Sequence, residues 1–286
     1  MRQGVYGLAL FVVLPFVLGA FVECVRKSPT LGRAARIGAF AVLVANLGLL
    51  VLGTEGLICI AMSLPLTVPL GALGGLFAHS AERTHLQNKS TAALLLLLPL
   101  SGGTVGMDLT AKPPLFQVRT AIEIAAPPER VWKYVVSFPD LAPPGEWFFK
   151  AGIAYPERAR IVGTGVGSVR YCDFSTGPVV EPIQIWDEPR VLQFRVTETP
   201  PPMRELSFYA NVTPKHLHGY FVAKQGEFRL SALANGHTLL EGTSWYQDAL
   251  WPSQYWRLWS DAVIRRVHLR VLSHIRTLAE SDNTVR

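Results

Sequence analysis

Long apolar runs separated by short polar breaks occupy the first third of the chain. Residues 4–22 carry no charge and are long enough to cross roughly 30 Å of hydrocarbon. Residues 37–77 are too long for one span, and Gly53-Thr54-Glu55-Gly56 interrupts them with the composition of a tight turn. The pattern predicts about four transmembrane helices, at about 4–22, 37–53, 57–77 and 91–107. The main alternative is three transmembrane helices.

After residue 111 the pattern changes to short elements. Strict alternation at 118–124 predicts a half-buried strand, and prolines followed by apolar residues at helical spacing predict a short helix within 126–138. Residues 252–279 have no internal Gly or Pro and predict a long helix. Six stretches bounded by turn residues are further strand candidates: 159–163, 167–174, 178–186, 190–198, 220–232 and 237–247.

This order of elements predicts an α+β fold. A bundle of about four transmembrane helices (residues 1–110) precedes a helix-grip domain (residues 117–280), in which a curved antiparallel β-sheet wraps around the long C-terminal helix. Because one helix fills only part of a concave sheet, an apolar cavity is expected between the two. The linker of nine residues before the domain reaches at most about 30 Å, which holds the domain near the bilayer.

Charge divides the chain in the same way. Residues 1–111 contain seven Lys/Arg and four Asp/Glu, whereas residues 112–286 contain twenty and seventeen. The net charge of +6 is therefore spread thinly, and no basic cluster indicates a nucleic-acid partner. The three cysteines are far apart and predict neither a disulfide framework nor a CxxC site.

The basic residues of the short loops predict the topology of a multi-pass membrane protein. The positive-inside rule places two basic loops in the cytoplasm, and with four spans the C-terminal domain is extracytoplasmic. With only three spans, the same rule places the C-terminal domain in the cytoplasm. A cleaved signal peptide is the alternative interpretation of the first run, but only Arg2 precedes it. The basic loop residues are Arg26, Lys27, Arg33 and Arg36 after the first span, and Arg83 and Lys89 after the third.

Catalytic and metal-binding patterns are weak. His216 and His218 share one side of a strand but lack a third ligand at a recognisable spacing, so we predict no metal and no cofactor. Cys172 has no predictable base beside it, and the GTGVG sequence at 163–167 leads into a strand rather than a helix. The catalytic residues, if the protein is an enzyme, stay unknown at this point.

An aromatic cluster at the start of the last helix is more informative, because four of the seven tryptophans lie within 245–259. Helical spacing places Trp256, Val263, Val267, Val271, His274 and Leu278 on one face and Asp261, Arg265, His268 and Arg276 opposite. Plain core packing is the alternative role for each apolar residue. The residues predicted to contact a ligand are Tyr171, Trp245, Trp256, Trp259, Ser260, Val263, Val267 and His274. The long connection 199–220 is predicted to be a lid or binding loop.

Three segments resemble a known family: IEIAAPPERVWKYVVSFPDL, GTGVGSVRYCDFSTGPVVEPIQIWDEPRVLQFRV and EGTSWYQDALWPSQYWRLWSDAVIRRVHLRVLSHI. They are similar to the polyketide cyclase/dehydrase branch of the START-like (SRPBCC, Bet v 1-like) superfamily. The resemblance implies a domain that binds a hydrophobic small molecule or lipid for carriage or sensing, and the predicted spans, which lie outside the resemblance, would anchor this domain to the membrane. The alternative that it implies is a cyclase/dehydrase-like enzyme that acts on an apolar substrate in the same cavity.

Overall fold

The structure is a computed structural model that describes residues 6–83, 103, 112–209, 214 and 217–282. The chain forms two compact units. The first contains Met1–Pro113 together with two short later segments, Glu205–His216 and Ala249–Trp256. The second contains Pro114–Arg204, Leu217–Asp248 and Arg257–Arg286. Two pieces of the polar half of the sequence therefore belong to the unit of the apolar helices.

Three helices form most of the first unit. A π-helical turn, Ala9–Val13, leads into α1 (Leu14–Arg26), and α2 (Leu31–Val51) and α3 (Leu57–Arg83) follow. The π-helical turn together with α1 (Ala9–Arg26), α2 and the α3 segment Leu57–Glu82 are each long and apolar enough to cross a membrane. They correspond to the first three predicted spans, and the predicted break falls in the turn between α2 and α3. The predicted span at 91–107 lies outside the described residues, apart from residue 103.

One detail of the predicted loops is corrected. Arg33 and Arg36 were expected between the first two spans, but they lie in the first turns of α2, which begins at Leu31. The Thr30 hydroxyl caps this helix by accepting a hydrogen bond from the Arg33 amide, with N and O 3.4 Å apart. The helix therefore starts before its apolar run does.

Glycines bring the backbones of the three helices into close contact. A Cβ atom added to Gly74 of α3 would lie 2.0 Å from the carbonyl oxygen of Phe16 in α1. A Cβ atom on Gly75 would lie 2.4 Å from the carbonyl oxygen of Ala34 in α2. Small residues permit such approach between apolar helices, whose association in lipid depends on close packing. The α3 helix thus packs against both neighbours through its glycines.

The second unit is a seven-stranded antiparallel sheet with three helices. The sheet order is β1-β7-β6-β5-β4-β3-β2, with β1 and β2 at the edges. The strands are β1 (Leu115–Ile124), β2 (Pro156–Val162), β3 (Val169–Phe174), β4 (Gly177–Asp187), β5 (Val191–Arg195), β6 (Phe221–Ala232) and β7 (Thr238–Asp248). The helices are α4 (Pro128–Val136), α5 (Trp147–Lys150) and α6 (Ser253–Ser281). The predicted α+β class is confirmed, and each strand candidate overlaps one observed strand.

A row of hydrogen bonds fixes how α6 packs on β1 and β7. His268 contacts the hydroxyls of Ser244, at 2.8 Å, and Thr120, at 3.2 Å. The Tyr246 hydroxyl donates to Asp261 over 2.6 Å. His268 and Asp261 were predicted on the face opposite the sheet, and that prediction is wrong. Helical periodicity gives the angular position of a polar side chain around the helix axis. It does not show that the sheet residues facing this side chain are polar too.

We expect Gly74→Ala to destabilise the helical unit by about 1–3 kcal/mol, because the added methyl meets backbone rather than a movable side chain. Heating the full chain in detergent with a thiol-reactive dye would report unfolding through buried Cys59. Gly48→Ala is the matched control, since no heavy atom lies within 4 Å of its added carbon. Equal unfolding temperatures for the two variants would contradict the proposed close packing.

Burial of His268 predicts a specific pH dependence. Burial first, and then the nearby charge of Arg265, lowers the pKa of His268 from 6.5 to about 4. The unfolded chain therefore binds this proton first as the pH falls, so stability that is complete above pH 6.5 is lost towards pH 4. At about pH 5 the loss from this group is about 2 kcal/mol.

His268→Gln should remove that part of the pH dependence, since glutamine can hydrogen-bond to Ser244 but does not titrate. Urea unfolding of both proteins in detergent, at about pH 7.5 and about pH 5, measures the difference. The same loss of stability in both proteins on acidification would mean that His268 is not the titrating group.

Candidate ligand-binding site

The inner face of the sheet contains a buried ion pair. Arg170 of β3 and Glu181 of β4 are cross-strand partners, and their side chains form a short salt bridge that is almost inaccessible to solvent. The guanidinium also donates to the carbonyl of Val136 over 3.2 Å. Burial raises the pKa of the Glu181 carboxyl, and the guanidinium beside it acts in the opposite direction. This pair occupies space that the sequence analysis assigned to a cavity.

Apolar core fills the rest of the contact between the sheet and the C-terminal half of α6. Val271, Leu272, Ile275 and Ala279 of α6 belong to one buried cluster with residues of the sheet and of α4. Cys172 is also buried on the inner face, and burial raises the pKa of its thiol to about 12. A thiol with that pKa is a poor nucleophile at neutral pH. This part of the interface is a core, so the predicted cavity between sheet and helix is not found at this end of α6.

Two of the predicted ligand contacts lie on the outer face of the sheet. Arg170 and Cys172 point inward, so Tyr171 between them points outward, where the Arg160 guanidinium lies 4.2 Å from its ring centre. Trp245 alternates in the same way with Ser244, which faces α6 through its bond to His268. Neither Tyr171 nor Trp245 therefore faces α6.

Two further predicted contacts are engaged elsewhere. Trp256 belongs to the first unit, where its ring packs edge-on against Phe11 with ring centres 4.8 Å apart. It is 2% exposed. Ser260 donates to Asp248 over 2.8 Å and extends the row of polar contacts between α6 and β7. Trp256 therefore has a packing role in the helical unit, and Ser260 a role in orienting α6.

The structure brings Val263, Val267 and His274 together along one side of α6. They lie within about 40° on the helix, and all three are half-buried. Half-buried Trp259 lies at the margin of the same side. The same side faces residues 138–156, the connection between α4 and β2, because Arg270 donates to the Pro156 carbonyl over 3.2 Å. We take this side of α6 and the connection that it faces as the candidate site.

His274 supplies a polar group of the candidate site, in addition to Arg270. Its ring packs edge-on against Phe138, with ring centres 5.7 Å apart, and hydrogen-bonds to the backbone of Pro139. Proline has no N–H, so the imidazole donates to the Pro139 carbonyl. Burial lowers the pKa of His274, which favours the neutral ring. Nε2 is buried and has no hydrogen-bond partner in the described part of the chain, so Nδ1 is the donor and Nε2 a vacant acceptor.

One cavity in the described part of the chain is an open groove of about 530 Å³, lined in part by Phe138. It holds none of the eight predicted contact residues. Across residues 6–83, 112–209 and 217–282, no three His, Cys, Asp or Glu side chains gather as a metal site, and His216 is not described. The groove is lined by Lys133, Tyr134, Ser137, Phe138, Pro139, Ala159, Arg160 and Ile161.

The sequence did not predict that His268 contacts the sheet or that Arg170 points inward. A signal for Arg170 was present, since the tight turn at 175–176 pairs it with Glu181 across the hairpin. No comparable signal existed for His268. Its partners Thr120 and Ser244 are distant in sequence, and nothing in their local patterns marks them as facing a helix.

Several solved structures of known proteins are similar to part of this chain. No curated protein sequence matches the chain. Among solved structures, a protein from Nitrosospira multiformis is 18% identical over 59% of this chain and 99% of its own, with a TM-score of 0.39. The Zhui aromatase/cyclase from Streptomyces sp. R1128 is 19% identical over 58% of this chain and 94% of its own, with a TM-score of 0.36. Norcoclaurine synthase from Thalictrum flavum is 12% identical over 61% and 99%, with a TM-score of 0.41.

A family model described as "polyketide cyclase / dehydrase and lipid transport" matches residues 116–248, which run from β1 to the end of β7. The match ends before α6, and α6 supplies the helix that packs on this sheet. Residues 116–248 of this chain are therefore similar to the polyketide cyclase/dehydrase and lipid transport family.

Proposed function

We propose that this protein is a membrane-anchored binding protein for an apolar small molecule or lipid that carries one hydrogen-bond donor, such as a hydroxyl group. The apolar part would lie against Val263 and Val267, and the donor would meet Nε2 of His274. The three apolar helices would hold the domain at a bilayer, from which such a molecule partitions.

The vacant Nε2 of His274 is the observation that carries this proposal. A buried acceptor without a partner costs about 1–3 kcal/mol, so a partner supplied by a ligand or a water is expected. Half-buried valines on the same side of the helix indicate that the neighbouring surface is apolar. An apolar wall with a few polar groups, here His274 and the Arg270 guanidinium, is typical of small-molecule sites.

His274→Leu should weaken binding of such a molecule by about 1–3 kcal/mol, because it roughly preserves volume and removes the acceptor. The measurement is mass spectrometry of molecules that co-purify with the full chain in mild detergent, followed by titration of the compound recovered. The recovered compound should carry a hydroxyl or amine group.

Tyr171→Phe is the matched control, because it removes a polar tip from the outer face of the sheet and should leave binding unchanged. Equal affinities of the natural compound for wild type and His274→Leu would remove His274 from the site. A recovered compound without any hydrogen-bond donor would contradict the proposed ligand class.

A cyclase- or dehydrase-like activity is the second candidate. It is favoured by the neutral state of His274, whose free Nε2 is able to accept a proton as well as a hydrogen bond. Incubation of the recovered compound with the purified chain separates the two candidates. An unchanged mass favours carriage or sensing, and loss of water or formation of a new ring favours catalysis.

We further propose that the C-terminal domain is extracytoplasmic, because residues 91–107 would add a fourth span to the three helices. A reporter enzyme that works only outside the cytoplasm should then show activity when it is fused after Arg286. Activity of a cytoplasm-specific reporter at the same position would instead indicate an odd number of spans.

A further inference from the structure

The turn between α2 and α3 holds a segment from far along the chain. Residues 205–209 follow β5 in sequence but lie in the first unit, against the turn that contains Gly53 and Gly56. We call this segment the 205–209 loop. It supplies acceptors for three backbone amides at the start of α3.

The first four N–H groups of an α-helix lack partners within the helix. In α3 the loop satisfies three of them. The Leu57 amide donates to the Leu206 carbonyl over 2.8 Å. The Ile58 and Cys59 amides donate to the two oxygens of the Glu205 carboxylate over 3.1 and 3.2 Å. The negative carboxylate also lies at the positive end of the helix dipole, which adds to the stability of this contact.

Both glycines of the turn make room for the loop. A Cβ atom on Gly56 would lie 2.1 Å from a carboxylate oxygen of Glu205. A Cβ atom on Gly53 would lie 2.9 Å from the Tyr209 ring, and the Tyr209 hydroxyl donates to the Val51 carbonyl. Gly53 also has a φ of +67°, which favours glycine. The turn is therefore shaped to receive this loop.

The loop exposes apolar side chains beside the exposed ends of two apolar helices. Phe208 is 81% exposed and Leu206 is 45% exposed. Leu52, at the end of α2, is 74% exposed. The segment 206–213 carries no charged residue. Aromatic and apolar residues at the ends of membrane-spanning helices are typical of the layer between lipid head groups and acyl chains.

We propose that the 205–209 loop, held on the α2–α3 turn by Glu205, inserts Phe208 and Leu206 into the interfacial layer of the bilayer that α2 and α3 cross. This inference rests on the proposed membrane anchoring and adds a second membrane contact to the helices. The occupant of this apolar surface is phospholipid, because the surface is continuous with the lipid-facing ends of α2 and α3.

Spin labels in lipid vesicles test this inference on the full chain. Cys24, Cys59 and Cys172 are replaced by alanine, and one cysteine at a time is introduced for a nitroxide label. Phe208→Cys is the test position. Phe40→Cys, 65% exposed in the middle of α2, is the lipid reference, and Gly32→Cys, exposed at the start of α2, is the water reference. Each label is exposed to oxygen, which concentrates in lipid, and to a water-soluble nickel chelate.

The label at 208 should collide with oxygen in preference to nickel, as the label at 40 does. A nickel-accessible label at 208 beside an oxygen-accessible label at 40 would overturn the inference and leave the membrane anchor standing. A label at 208 that neither reagent reaches would mean that protein covers the loop, and would overturn it too. A nickel-accessible label at 40 would overturn the membrane anchor itself.

The glycine contact is tested in the same system. Gly56→Ala should detach the loop and shift the label at 208 towards nickel accessibility, whereas Gly48→Ala should not, since its added carbon meets no atom. An unchanged label at 208 in Gly56→Ala, with the label at 40 still lipid-accessible, would overturn the role of the turn in holding the loop.

Discussion

The rotation of α6 about its own axis determines what the second unit can bind, and hydrogen bonds set that rotation. His268, Asp261 and Ser260 each bond to a polar side chain on β1 or β7. A helix held by three directional contacts along its length has little freedom to turn. With these residues against the sheet, Val263, Val267 and His274 face the connection after α4. The candidate site is thus a consequence of a polar contact on a different side of the same helix.

The buried pair Arg170–Glu181 has a related effect on the sheet. Two charges in a low-dielectric interior are tolerated only when they are paired and hydrogen-bonded, and removal of one partner from such a pair is strongly destabilising. Arg170 also lies beside the rings of Phe138, Phe194 and Phe228, each about 5.5 Å from its guanidinium carbon. The Phe138 ring in turn packs against His274. The pair therefore supports one wall of the candidate site through Phe138.

The sequence predicted the elements well and their orientations poorly, for a physical reason. Strands and helices follow from local periodicity and turn residues, so β1 to β7 and α6 were located within a few residues. The faces depend on partners distant in sequence. Polar His268 was assigned to solvent, although Thr120 and Ser244 satisfy it. Tyr171 was assigned inward, although buried Arg170 next to it takes that direction because Glu181 neutralises it.

Composition divides the chain near residue 111, but compactness divides it differently, and the difference lies in two short segments. Neither 205–209 nor 249–256 is apolar enough to be assigned to the membrane part by hydropathy. What places them in the first unit is specific: a carboxylate that caps α3, and a Trp256 ring against Phe11. The Trp251 amide also donates to the Tyr6 carbonyl, and the Tyr255 hydroxyl to the Met62 carbonyl.

Because such contacts each involve only one or two side chains, no average over a window of sequence detects them. The aromatic cluster at 245–259 accordingly has more than one role. Trp251 and Trp256 complete the helical unit, whereas Trp245 lies on the outer face of the sheet and Trp259 lies at the margin of the candidate site. A fragment that began after the linker would keep every strand of the sheet and still lose the α3 amides that Glu205 binds and the Phe11 ring that packs against Trp256.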